Sequence, residues 1–109
     1  MANVLELNSS NFDRIIKTAK KKVFVDFWAP WCKPCIRMDP LIERVATKHD
    51  DAMIFAKVNV DSASEIAQRY HVSSIPTYVI FDRANPAESR VGAISESELE
   101  ELISSHASL

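Results

Sequence analysis

An α/β fold, in which a mixed but mostly parallel sheet is flanked by helices on both faces, is predicted by the order of the segments in this sequence. Segments rich in β-branched and aromatic residues alternate with segments of helical periodicity, in the order βαβαβαββα. Val23–Trp28 is apolar at almost every position, as expected for a central strand covered on both faces. The 109 residues, 47% of them hydrophobic, suffice for one core. We therefore expect a single domain over residues 1–109.

The first half of the chain holds two predicted strand–helix units. Val4–Leu7 is a short strand candidate, and Ser10 with Asp13 has the spacing of a cap pair that opens a helix. The apolar face of this helix comprises Phe12, Ile15, Ile16 and Ala19. After the central strand, residues 34–49 form a second predicted helix. Pro40 removes one of its internal hydrogen bonds and should bend its axis.

A third strand–helix unit follows in the middle of the chain. Residues 53–60 are a second strong strand candidate because they combine β-branched and aromatic side chains with a buried pattern. Ser62 and Glu65 have the spacing of a capping box, in which each side chain satisfies a backbone N–H of the first helical turn. We therefore expect a short helix over residues 63–70.

The C-terminal part is predicted to form a hairpin and a last helix. Residues 77–81 and 90–94 are strand candidates. Residues 82–88, which contain Asn85-Pro86, would join them by a loop longer than a two-residue turn. Ser95 and Glu98 have the spacing of another capping box. The stripe of the helix that they open comprises Leu99, Leu102, Ile103 and His106.

Charge and hydropathy argue against several kinds of partner. Thirteen Lys and Arg against 15 Asp and Glu give a formal charge of -2, so we expect no nucleic-acid partner. No apolar stretch approaches the roughly 20 residues of a membrane span, and residues 1–11 lack the pattern of a signal peptide. Two cysteines without an evident export signal favour a reducing, cytoplasmic compartment. We expect a monomer that binds no membrane.

The chemistry of the chain is concentrated in Trp31-Cys32-Lys33-Pro34-Cys35, which contains both of its cysteines. Where a strand runs into a helix, the unpaired N–H groups and the dipole of the first turn stabilise a thiolate. Pro34 fits the first turn, because its missing N–H costs no hydrogen bond there. We expect Cys32 to be the exposed nucleophile and Cys35 the inner partner with which it closes a disulfide.

Two other interpretations of the cysteine pair are weaker. A structural zinc site needs about four ligands, and the three histidines of the chain have no ligand spacing to the cysteines, so no metal is expected. A purely structural disulfide across so short a loop would contribute only about 2 kcal/mol. A reversible dithiol–disulfide couple is therefore the preferred interpretation.

Several further segments of the chain resemble one family. Residues 25–35 read VDFWAPWCKPC, and they are followed in order by Pro40, residues 56–61 (AKVNVD), residues 74–77 (SIPT) and residues 91–93 (VGA). Together these segments resemble the thioredoxin family over essentially the whole chain, without large gaps. The resemblance implies the thioredoxin fold.

The same resemblance implies a thiol-disulfide oxidoreductase that reduces client proteins without a cofactor beyond its own disulfide. Cys32 would attack a client disulfide, and Cys35 would resolve the mixed disulfide. Asp26 would accept the proton of Cys35, because burial in an apolar strand raises the pKa of a carboxyl. Lys57, on the neighbouring strand, would tune Asp26 through its charge. Thioredoxin reductase would supply the electrons.

The resemblance also implies a surface that binds clients around the dithiol. Pro76 would be a cis proline opposite the cysteines. Ile75 would expose backbone groups that pair with an extended client segment, as in strand addition. Trp31, Gly92 and Ala93 would complete an apolar patch with them.

Three residues are expected to tune the site: Lys33, Pro34 and Trp28. Trp28 is interpreted as a core ring beneath the motif. The family usually has glycine at the position of Lys33, and a cation about 6 Å from a thiolate interacts with it by about 0.7 kcal/mol in water. This corresponds to about 15 mV for a two-electron couple and makes the protein slightly more oxidising. Two alternatives stay open: a disulfide oxidase or isomerase of the same fold, and a binding module whose redox state is incidental.

Overall fold

The computed structural model describes residues 3–107, which form five strands and four helices. The order along the chain confirms the predicted alternation of strands and helices. The elements are β1 (Val4–Leu7), α1 (Phe12–Thr18), β2 (Val23–Trp28), α2 (Lys33–Lys48), β3 (Ile54–Asn59), α3 (Ser64–Arg69), β4 (Thr77–Asp82), β5 (Asn85–Val91) and α4 (Glu96–His106). None of the helices in this part of the chain is long and apolar enough to cross a membrane.

The five strands form one mixed sheet in the order β1-β3-β2-β4-β5. β1 and β2 are both parallel to β3, whereas β4 is antiparallel to its two neighbours, β2 and β5. β4 therefore runs against the other four strands, which agrees with a sheet that is mixed but mostly parallel. The register places Asp26 of β2 directly between Lys57 of β3 and Tyr78 of β4.

Side chains of the central strand alternate between two cores, one on each face of the sheet. Val23, Val25 and Phe27 belong to the core that is closed by α1 and α3. Phe24 belongs to the other core, which is closed by α2 and α4. Because successive residues of a strand point to opposite faces, Asp26 faces the same side as Phe24. The predicted coverage of both faces is thus confirmed, and a carboxyl enters the second core.

Helix α2 continues through Pro40 without interruption. Its boundaries, Lys33–Lys48, lie one residue earlier than the predicted range at both ends. The buried stripe of the helix comprises Cys35, Met38, Ile42, Val45 and Ala46. Because Cys35 lies on this stripe, its side chain is directed into the protein.

The predicted cap of α1 is wrong. The helix begins after Asn11, and no side chain caps it. Ser10 and Asp13 do not form the expected pair, because the Ser10 N–H donates to the Asn8 side chain and the Asp13 carboxylate pairs with Arg69. Asn8 Oδ1 accepts hydrogen bonds from the N–H groups of Ser10, at 2.9 Å, and Asn11, at 3.0 Å.

One of the two predicted capping boxes is present. Ser95 and Glu98 form the reciprocal pair at the start of α4, as predicted. At α3 the prediction from Ser62 and Glu65 is wrong, because the helix begins two residues after Ser62 and has no side-chain cap. The Ser62 hydroxyl instead donates to the carbonyl oxygen of Asn59, at 3.4 Å.

The predicted long loop of the hairpin is also wrong. β4 continues to Asp82 and β5 begins at Asn85, so only Arg83 and Ala84 form the turn. Both have positive φ angles, 53° and 70°, which is the conformation of a type I′ hairpin turn. Pro86 lies inside β5 rather than in a loop, and a proline is tolerated there because β5 is an edge strand.

Candidate active site

The two cysteines lie where the central strand β2 leads into α2. Cys32 is the N-cap of the helix, followed by Lys33 and Pro34 in its first turn, and Cys35 is the third helical residue. The cysteines form a disulfide with their Cα atoms 5.3 Å apart. The backbone N–H of Cys35 donates to Cys32 Sγ at 3.2 Å, so a donor of the first turn is directed at this sulfur. The same donor and the helix dipole would stabilise a thiolate on Cys32 after reduction.

The disulfide is less exposed than the sequence suggested. Cys32 is 5% exposed and Cys35 is 1% exposed. The expectation of an exposed Cys32 is therefore wrong for the disulfide form. Both cysteines pack with Ala29 in a small apolar cluster, which Trp28 and Ile75 border. Cys32 is nevertheless the more accessible of the two cysteines.

The loop before β4 faces the disulfide. The Ile75–Pro76 peptide bond is cis, as the resemblance implies. The Ile75 carbonyl oxygen lies 3.9 Å from Cys32 Sγ, and Ile75 is half-buried. Pro76 is buried, and its carbonyl oxygen accepts a hydrogen bond of 2.7 Å from the N–H of Gly92. Gly92 has a φ of 94°, which glycine adopts without strain, and a Cβ there would meet no atom within 4 Å.

Large apolar side chains are exposed around the disulfide. Trp31 is 66% exposed, Val91 64% and Ile36 46%, and Ala93 is also exposed. The Trp31 ring is held by a hydrogen bond of 2.8 Å from its Nε1 to Asp61 Oδ2. Neither Ile36 nor Val91 was predicted to belong to the apolar patch. Ile36 directly follows Cys35, and Val91 directly precedes Gly92.

Asp26 lies in the core beneath this surface and is 2% exposed. Its pKa is raised to about 7, first by burial and then by the negative charge of Asp39, while the positive charge of Lys57 lowers it. The expectation of a raised pKa is thus supported by the geometry. Asp39, a half-buried residue of α2, was missed by the sequence analysis.

Lys57 lies on the strand next to Asp26. It is the register partner of Asp26 on β3, and its side chain is 23% exposed. Lys57 Nζ lies 4.8 Å from the ring centroid of Trp28 and 3.8 Å from Glu6 Oε2. Trp28, predicted to be a core ring, is half-buried and packs against the cluster that contains both cysteines. Lys33, in contrast, is exposed on the first turn of α2.

The family model for thioredoxin matches residues 3–105. The chain belongs to the thioredoxin family. A thioredoxin of Mycoplasmoides gallisepticum is 43% identical to it over 96 residues, which cover 88% of this chain and 94% of that protein. A thioredoxin of Chlorobaculum thiosulfatiphilum is 38% identical over 101 residues, with 93% and 94% of the two chains covered.

Solved thioredoxin structures also match this thioredoxin-family chain. The crystal structure of thioredoxin NaTrxh from Nicotiana alata has a TM-score of 0.90 and 32% identity, and the match covers 98% of this chain and 95% of that one. The thioredoxin of Plasmodium falciparum has a TM-score of 0.88 and 33% identity, with 95% and 100% covered. The predicted thioredoxin fold is therefore confirmed.

The family and the paired cysteines establish the reaction class. The chain is a thiol-disulfide oxidoreductase of the thioredoxin type, and a protein-disulfide reductase is the activity that its relatives and its Cys32–Cys35 disulfide support. Within residues 3–107, no group of three or more His, Cys, Asp or Glu side chains is arranged to hold a metal ion.

Proposed function

We propose that this protein reduces client disulfides in two steps, with Cys32 as the attacking and Cys35 as the resolving sulfur. In the first step the Cys32 thiolate attacks one client sulfur, and the other client sulfur leaves as a thiolate. In the second step Cys35 attacks Cys32, the second client thiolate leaves, and the Cys32–Cys35 disulfide forms. The client gains two electrons, and the dithiol loses them. The hydrogen bond from the Cys35 N–H to Cys32 Sγ carries this assignment, because it favours negative charge on Cys32.

Asp26 is proposed as the group that accepts the proton of Cys35 before the second step. A carboxyl with a pKa of about 7 exists in both protonation states near neutral pH, so it can take up and release a proton in each turnover. Lys57 is proposed to keep this pKa from rising further, since its charge opposes the effects of burial and of Asp39.

The client is proposed to bind as an extended segment across the surface around Cys32. The half-buried Ile75, which precedes the cis Pro76, would supply backbone groups for strand-like pairing. Trp31, Gly92 and Ala93 would supply the apolar contacts. This mode of binding uses few side-chain hydrogen bonds, so it would accept clients of varied sequence.

The electron donor and the compartment are further parts of the proposal. We propose that a thioredoxin reductase regenerates the dithiol, that no cofactor besides the disulfide is used, and that residues 1–109 work as one monomeric domain in the cytoplasm. Relatives include bacterial thioredoxins and a chloroplastic M-type thioredoxin of spinach, which is 35% identical over 105 residues. An equilibrium reduction potential of about -270 mV would support a reductant, and one of about -120 mV would support a disulfide oxidase.

Trapping of mixed disulfides tests the order of attack. We expect Cys35→Ser to accumulate a covalent complex with a disulfide-containing client such as insulin, because no resolving thiol remains. Cys32→Ser should neither reduce the client nor accumulate that complex. Mass spectrometry of the adducts identifies the linked cysteine. Stable adducts through Cys35 in Cys32→Ser, and none through Cys32 in Cys35→Ser, would show that the roles are reversed.

A further inference from the structure

The core beneath the disulfide contains two polar side chains on adjacent strands. Asp26 is 2% exposed and Tyr78 is 0% exposed. The antiparallel register of β2 and β4 pairs them directly. Residues paired in this way point to the same face of the sheet, with Cβ atoms about 5 Å apart. Both side chains therefore enter the core that α2 covers.

Each of these side chains has an oxygen that lacks a hydrogen-bond partner. Within the described part of the chain, Asp26 Oδ1 and Tyr78 Oη are the buried side-chain nitrogen or oxygen atoms without one. Buried polar atoms are paired in the large majority of cases, because an unmade hydrogen bond in a core is costly. Because the two atoms belong to paired residues of neighbouring strands, we interpret them together as one polar site.

The two groups are chemically complementary. A phenol hydroxyl donates one hydrogen bond, and an ionised carboxylate only accepts. The Tyr78 ring is stacked on Phe24, with centroids 5.5 Å apart and an interplanar angle of 23°, so packing holds the ring in the neighbourhood of Asp26. A phenylalanine would fill nearly the same space without burying a hydroxyl. The hydroxyl is thus the part of Tyr78 that packing does not explain.

We propose that Tyr78 is a positioning residue for proton transfer from Cys35: its hydroxyl donates a hydrogen bond to one water, which bridges it to the Asp26 carboxylate. The bond stabilises the ionised carboxylate, which is the form that accepts the proton. The inference rests on the proposed role of Asp26 as that acceptor. The two side chains make no direct hydrogen bond in the disulfide form, and one buried water commonly joins such groups.

The charged groups packed around Asp26 set the direction of the expected pH dependence. Asp39 of α2 raises the pKa of Asp26 and Lys57 of β3 lowers it, with burial as the largest cause of the net rise. The pKa of Tyr78 is raised as well, first by burial and then by the charges of Asp26 and Asp39. The phenol therefore keeps its proton throughout the neutral range and can act as a donor while Asp26 titrates.

A carboxyl titration of the reduced protein tests the proposal. We would follow the Asp26 carboxyl carbon by NMR in the wild type, in Tyr78→Phe and in Tyr70→Phe. Tyr70 is the matched control, because its ring packs against Phe81 in the core on the opposite face. Loss of a hydrogen bond to a charged group should lower the acid dissociation constant of Asp26 about tenfold in Tyr78→Phe. Tyr70→Phe should leave it unchanged.

The pH dependence of the rate of the second chemical step is a further test, because a tyrosine with only a structural role would not change it. In Tyr78→Phe, release of the mixed disulfide by Cys35 should slow about tenfold at pH values below the pKa of Asp26 and converge with the wild-type rate at high pH. A rate that falls equally at every pH would contradict the proposal, as would an unchanged Asp26 titration.

The wild type provides a second test that needs no variant to fold. The Cζ resonance of Tyr78 should show an inflection at the titration midpoint of Asp26, whereas that of Tyr70 should not. A Tyr78 resonance that stays constant through this pH range would overturn the proposal. A different result is expected if Asp26 is not the proton acceptor. Asp26→Asn would then leave the rate of the second step unchanged, while the carboxyl titrations of the wild type and Tyr78→Phe would still report on Tyr78.

Discussion

The Asp26 carboxyl is expected to set the pH range in which the dithiol reacts. Burial and the charge of Asp39 raise its pKa to about 7, and Lys57 opposes this rise. A carboxyl in this state is an efficient proton acceptor near neutral pH, but the folded protein must bury its charge whenever the proton is absent. The same residue should therefore favour activity and reduce stability.

Asp26→Asn should separate these two effects. The rise of the pKa from 3.8 to about 7 means that folding favours the protonated form, so the contribution of Asp26 to stability is most favourable below pH 4 and falls as the pH rises to about 7. The penalty at pH 8 is about 4 kcal/mol, since each pKa unit corresponds to about 1.4 kcal/mol. The variant should gain up to this amount in denaturant unfolding at pH 8, gain much less at pH 5, and resolve mixed disulfides more slowly.

The control for this measurement is Asp50→Asn, which removes the charge of an exposed carboxyl. We expect its free energy of unfolding to differ little from that of the wild type at both pH values. A gain in Asp26→Asn that is the same at pH 5 and pH 8 would show that the amide stabilises the protein for a reason other than relief of a buried charge.

Asp26 was found from the sequence, whereas its neighbours Asp39 and Tyr78 were not. A carboxylate within an otherwise apolar strand stands out in the sequence. Asp39 is an ordinary polar position of a helical pattern, and Tyr78 is an ordinary strand aromatic. Their importance depends on strand register and on which turn of α2 covers β2. Hydrophobic periodicity determines neither.

At the scale of elements, the turn between β4 and β5 is the clearest departure from the predicted structure. Arg83 and Ala84 both have positive φ angles, although neither residue type favours them. Turns of this type usually contain asparagine or glycine, so Arg83 and Ala84 gave no turn signal, and Asn85-Pro86 was interpreted as part of a longer loop. The strongly apolar strands and the capping box of α4 were predictable because packing and local hydrogen bonds act in the same direction there.

Ala84→Gly should stabilise the protein by about 0.5–1 kcal/mol, because glycine adopts the left-handed conformation without strain. The matched control is Ala19→Gly. Ala19 also packs partly against the core of α1 and α3, but its φ is -65°, so glycine should lower stability there. Denaturant unfolding of both variants measures the difference. A loss of stability in Ala84→Gly would show that packing of the methyl group outweighs the strain of the turn.

At the scale of the whole molecule, we expect the charge of Lys33 to act both on the chemistry of the dithiol and on the choice of partners. Lys33 is exposed next to Cys32, so its field reaches the thiolate and any protein that docks there. Coulomb attraction across about 6 Å of water favours the reduced, thiolate-bearing form by about 0.7 kcal/mol. Salt should weaken this effect, because the Debye length is only about 8 Å at physiological ionic strength.

Lys33→Gln and Lys33→Gly should each lower the reduction potential by about 15 mV at low salt, and by less at high salt. The glutamine variant isolates the charge, while the glycine variant also changes the backbone at the start of α2. Equilibration with glutathione at both ionic strengths measures the potential. Identical potentials of the wild type and Lys33→Gln at low salt would leave selection of acidic or basic clients as the role of Lys33.

The antiparallel direction of β4 places the start of this strand and the β4–β5 turn at opposite ends of the sheet. Because β4 is antiparallel to β2, Thr77 starts it beside the end of the strand that leads to Cys32, and the returning β5 brings Gly92 to the same end. The turn at Arg83 and Ala84 lies at the far end of the sheet. A fluorophore, a surface linker or a fused peptide attached at this turn should not obstruct thiol–disulfide exchange. The turn is therefore a suitable attachment site for immobilising an active reductase.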